Sequence, residues 1–160
     1  MKILIFLTFL ALSTAHIDDF RKFTAKFFTG VGITEDINFI NKCITEAEEM
    51  AWESIYMALE MINWYDLDNV LLAVAAHATG DIVLLTQAYM CAIDKVKVKA
   101  IIDKINNLME NEQKVRAKVA ANMKRIEEMI KEQINAKKAG DFEKAGTIAA
   151  NFVKWFFLSD

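Results

Sequence analysis

The chain has 160 residues, 54% of them apolar, with 19 basic and 22 acidic side chains and a formal charge of −3. That is the size of one ordinary domain able to bury a full core, and its acidic balance excludes the basic excess that nucleic-acid binders carry. Proline is absent and glycine scarce, at 5 residues, so long helices can run without interruption.

Residues 1–15 read as a secretory signal peptide. Lys2 supplies a charged start, residues 3–12 an apolar run, and Ser13-Thr14-Ala15 the small residues before a cleavage site. The run of ten residues is shorter than the roughly 20 that a membrane span needs. The expected mature chain, 16–160, forms one domain in an oxidising compartment, secreted or in the lumen of the secretory pathway. It has 18 basic against 22 acidic side chains and no Asn-x-Ser/Thr sequon, so ordinary N-glycosylation is not expected.

Periodicity predicts five helical segments in the mature chain. In 16–29, Ile17, Phe20, Phe23 and Phe27 recur at helical spacing, and Gly30-Val31-Gly32 ends the pattern. Thr34 reads as an N-cap with Glu35 and Asp36 in the first turn. A second helix then carries a seam of Ile37, Ile40, Ile44, Ala47, Ala51, Ile55, Ala58 and Ile62. It stops near Asn63-Trp64-Tyr65-Asp66. Segment 67–92 is nearly all apolar and reads as the buried central helix, with Asp81 dividing it into stretches too short to span a bilayer. Segment 94–138 reads as one long helix with a stripe of Val98, Ile101, Ile105, Leu108, Val115, Val119, Ile126 and Ile130. Glu112 and Asn122 fall on or near that stripe. Gly140 ends it, and Asp141 caps a last helix through Phe152, Trp155 and Phe156.

The chain has two cysteines, Cys43 and Cys91, whose sequence midpoint is position 67, next to the expected turn between the second and third segments. Residues equidistant from the turn of an antiparallel hairpin lie side by side, so the two thiols are expected to meet and oxidise. No Cys-x-x-Cys or clustered histidine points to a redox or metal site.

Charge and aromatic residues are unevenly distributed. Between positions 34 and 69 there are nine acidic residues and one lysine, while 95–138 holds twelve basic and six acidic residues. These two faces are expected to lie together. The basic arc of Lys114, Arg116, Lys118, Lys124 and Arg125 is the alternative contact for an anionic partner or lipid surface. The nine phenylalanines of the mature chain cluster near its ends, where the first and last helices are expected to pack. Adjacent rings such as Phe27-Phe28 and Trp155-Phe156-Phe157 cannot all face inward from one helix, so these five residues mark a candidate surface for an apolar ligand or partner. Met50, Met57, Met61 and Met90 read as core, or as the adaptable lining of a pocket.

No catalytic constellation is visible. The mature chain offers Ser54 and Ser159 as hydroxyls and His16 and His77 as imidazoles, and nothing marks any of them as activated. Glu46, Glu49 and Glu53 share a helix face that reads as solvated, and the Glu-x-x-His pairs of carboxylate metal bundles do not occur. His77, inside an apolar helix, reads as a satisfied core residue. The expectation is an all-α antiparallel bundle of about five helices, stapled by Cys43–Cys91, with no cofactor, metal or transmembrane segment. Such a chain would be a secreted, non-catalytic protein that binds other proteins or itself. The alternative is a carrier of a lipid or other apolar small ligand.

Overall fold

The computed structural model describes residues 17–33 and 37–159. The expected signal peptide, His16 and the expected Thr34 cap lie outside them. The described residues are helical throughout, without a strand: α1 (17–30), α2 (Ile37–Cys43), α3 (Glu46–Glu60), α4 (Leu67–Met90), α5 (Lys95–Glu110), α6 (Glu112–Lys138), α7 (Phe142–Val153) and a π-helical turn, Lys154–Leu158.

Two of the five expected segments are each divided, and polar residues divide them. At Thr45 the chain stops one helix and starts another. The Thr45 backbone N–H donates to Glu48 Oε2 at 2.7 Å while the Ala47 N–H donates to Thr45 Oγ1. This is a capping box, which satisfies orphan N–H groups reciprocally and begins a helix wherever it forms. At Asn111 the expected long helix breaks into α5 and α6. Asn111 leaves helical geometry at ψ 85°, and its Oδ1 accepts from the Lys114 N–H at 3.1 Å. Its short amide thus replaces the backbone bond that continuation of the helix would supply. Asn122, which falls on or near the expected stripe, marks a distortion inside α6 (φ −133°), where its side chain donates to the Lys118 carbonyl at 2.8 Å.

α4 is the central element, in contact with α3, α5 and α6. It buries Val70, Ala73, Val74, Ala78, Leu84, Leu85 and Ala88. The buried face of α3 is Trp52, Ile55, Tyr56 and Leu59, so it is rotated from the expected seam, and Ala47 and Ala58 are exposed. Aromatic size decides that orientation: turning Trp52 and Tyr56 inward removes far more apolar area from water than turning alanines in. Of the acidic face on α3, Glu49 is buried, together with Glu48.

α1 and α7 press directly together. A Cβ on Gly146 of α7 would fall on the Phe23 carbonyl of α1, so only glycine permits this approach. Covered by α7 on one flank and by Trp52 and Tyr56 of α3 at Phe23, α1 buries both Phe27 and Phe28 completely. At the other end of the chain, Phe156 stacks on Phe152 with ring centroids 5.6 Å apart, and Phe157 is also buried. Four of the five aromatic residues proposed as an exposed surface are therefore core. Only Trp155 is partly exposed, with the Arg125 guanidinium 4.2 Å from its ring centre.

Cys43 and Cys91 form a disulfide across 48 residues, with Cα atoms 5.9 Å apart. Gln87 donates to the Cys43 carbonyl at 2.8 Å beside it. A closed loop of this length stabilises the fold by about 4 kcal/mol on the chain-entropy account.

Candidate functional site

Two places in the fold carry unusual chemistry. The first is a polar network inside the core. His77 Nδ1 lies 2.8 Å from Asp81 Oδ2, and its Nε2 lies 2.8 Å from Gln133 Oε1. Gln133 Nε2 donates to Tyr56 Oη at 3.0 Å, which turns Oε1 toward the histidine and makes Nε2 of His77 a donor. The network ties α3, α4 and α6 together. Trp52 and Phe152 pack against the imidazole, with ring centres 5.3 and 4.6 Å away. Trp52 reaches this position because Gly80 has no Cβ to meet its ring, and the indole N–H donates to the Gly80 carbonyl at 3.1 Å.

Burial pulls the His77 pKa down, but the Asp81 carboxylate and the hydrogen bonds of both ring nitrogens outweigh it, and the net shift is upward. Burial lifts the Asp81 carboxyl, against the pull of the imidazole. Burial also pushes the Tyr56 phenol up. His77, Asp81 and Gln133 have no exposed surface, so no substrate reaches them, and the network acts as an internal tie between helices. His77 is the satisfied core residue that the sequence predicts. Asp81 follows His77 at i,i+4 on the same helix, a spacing legible in the sequence, whereas Gln133 and Tyr56 come from two other segments and no sequence signal joins them to it.

The second place is the outer face of α3 and α4. Met50, Met57 and Met61 recur at helical spacing on the side of α3 opposite Trp52 and Leu59. With Leu72 and Met90 of α4 they are 61–85% exposed, which corrects the expectation that these methionines fill the core. Ala47, Ser54 and Ala58 extend the face on α3, and Thr79 and Thr86 on α4. Between Asp68 and Met90, α4 carries no Asp, Glu, Lys or Arg except Asp81, and Asp81 points into the core. α4 is long and apolar enough to cross a membrane by length and composition, and half of the relevant stretch is buried in the fold. The other half contributes to this uncharged face.

Three acidic residues beside this face are paired within the fold. Glu53 meets Lys137 at 2.7 Å, Glu60 meets Lys138 at 3.5 Å, and Asp68 meets Arg116 at 2.9 Å. The acidic arm and the basic helix therefore lie together, as their charge patterns predict. The remaining basic candidates separate. Lys118 donates to the Ser159 carbonyl at 3.2 Å, Lys124 lies 3.9 Å from Glu128, and Lys114 faces a cleft at the C-terminal turn. The five do not form one basic surface.

No family model matches the chain, and no curated protein or solved structure matches it.

Proposed function

We propose that this is a secreted, non-catalytic helical protein that acts by protein contact, and that the outer face of α3 and α4 is its contact surface, with a second copy as first partner. The charged start, apolar run and small residues of 1–15 support secretion, and the disulfide fits an oxidising compartment. The observation that carries the contact reading is the row Met50, Met57 and Met61 beside Leu72 and Met90, exposed and uncharged on a chain with a complete core. A contiguous apolar face of this kind marks an interaction site, and methionine adapts its shape to what it meets. Glu53, Glu60 and Asp68 at its borders already have internal partners, which lowers the charge that two-fold pairing of the face with itself must bury. We read the elements as an antiparallel bundle, with α2 and α3 forming one arm against α4.

Sedimentation velocity of the oxidised chain over a concentration series tests this. The expected result is a monomer–dimer equilibrium that persists at high salt, since an apolar contact is not screened. The M50E/M57E/M61E variant should weaken it by about tenfold or more, the equivalent of 1.4 kcal/mol. A monomer at every concentration, or association that the variant leaves intact, would contradict the assignment. Association that dissolves as salt rises would place the contact on the charged faces instead.

A further inference from the structure

α5, α6 and the C-terminal turn enclose a cleft of about 460 Å³, within the roughly 300–1,000 Å³ of small-molecule sites. Its walls are Lys104 and Asn107 of α5, Asn111 at the junction, and Lys114 and Lys118 of α6. Leu108, Phe157 and Leu158 supply the apolar part. Three cations and no acidic side chain line it among the described residues, on a chain whose formal charge is −3. Glu110 and Glu112, the sequence neighbours of Asn111, do not line it. Lys118 is committed to structure: it donates to the Phe156 and Ser159 carbonyls and holds the C-terminal turn against α6. Lys104 and Lys114 form no ion pair among the described residues, so no described carboxylate neutralises their ammonium groups.

We propose that this cleft binds a single-chain amphiphile with an anionic head, a carboxylate or phosphate monoester. Lys104 and Lys114 neutralise the head, the Asn107 and Asn111 amides offer hydrogen bonds, and the tail lies along half-buried Leu158 and the small edges of Leu108 and Phe157 that the core leaves open. Each half of the lining needs its half of the ligand. A bare anion leaves the apolar wall exposed, and a neutral chain leaves two lysines without a counter-charge. The cleft has no wall from α3 or α4, so it stands or falls independently of the contact surface proposed above.

Isothermal titration of the oxidised chain with decanoate, decyl phosphate, decanol and acetate, each below its aggregation limit, tests the pairing of charge and chain. Decanoate and decyl phosphate are expected to bind. Decanol and acetate should bind at least about tenfold more weakly. A K104E/K114E double variant should weaken decanoate by a similar factor. Both lysines are exposed, so its circular dichroism spectrum and thermal midpoint should match the parent, and a K131E variant, altered outside the cleft, should bind normally. If acetate binds as tightly as decanoate, the site is a plain anion site and the amphiphile assignment fails. It fails equally if decanol matches decanoate, if K104E/K114E binds as the parent does, or if no ligand binds.

Discussion

At the scale of single residues, His77 and Asp81 set how stability depends on pH. The folded state holds the His77 pKa above its ordinary 6.5, and that of Asp81 above its ordinary 3.8. Over the range between the unfolded and folded values, the native chain binds protons that the unfolded chain releases. The stability from His77 is therefore complete below pH 6.5 and is lost as pH rises through its folded value, and Asp81 acts with the same sign from a lower start. Urea unfolding should show stability falling as pH rises above 6.5, with a slope of at most about 1.4 kcal/mol per pH unit for each proton retained. Asp81→Asn removes the carboxylate that holds the imidazolium and should flatten the slope. A parent whose stability is level or rises over this interval would show that His77 is neutral in the fold. Asp81 Oδ1, buried without a protein partner, fits a carboxyl whose charge is poorly solvated.

At the scale of elements, the sequence was most informative where apolar spacing was unambiguous and least so where polar caps override it. The central helix and the last helix, with its Asp141 cap, lie where periodicity and capping residues predict them. The seam assigned to α3 had the wrong phase because it counted alanines equally with isoleucines and passed over Trp52, Tyr56 and Leu59. Weighting by side-chain area would have turned the helix correctly and put Met50, Met57 and Met61 outside. Thr45-x-x-Glu48 is visible in the sequence as a capping box, but it sits inside an apolar pattern that runs through it. Thr45→Ala should cost about 1 kcal/mol, read as a lower urea midpoint with an unchanged slope. No loss of stability would mean that α2 and α3 behave as one helix. The adjacent phenylalanines were misjudged for a different reason. A helix covered on one flank only exposes alternate rings, whereas α1 is covered on more than one, and that covering depends on Gly146 accepting the α1 backbone. Long-range contact of this kind leaves no mark in local spacing.

At the scale of the molecule, the disulfide joins the beginning of the helical arm to the end of α4, and symmetry about the turn identified it even though the arm proved to be two helices. Reduction, or Cys43→Ser with Cys91→Ser, should lower stability by about 4 kcal/mol, measured by chemical denaturation of both forms at one pH. A loss near zero would mean that the unfolded chain already keeps these ends together. The acidic arm and the basic helix pair internally, and the proposed function rests on the uncharged outer face of α3 and α4. The most direct measurement is the rate of methionine oxidation by peroxide, residue by residue, in dilute and concentrated protein. Exposed thioethers oxidise readily, and contact protects them. The account predicts that Met50, Met57, Met61 and Met90 oxidise fast when dilute and slow together as concentration rises. Rates at these four positions that do not change with concentration would contradict it.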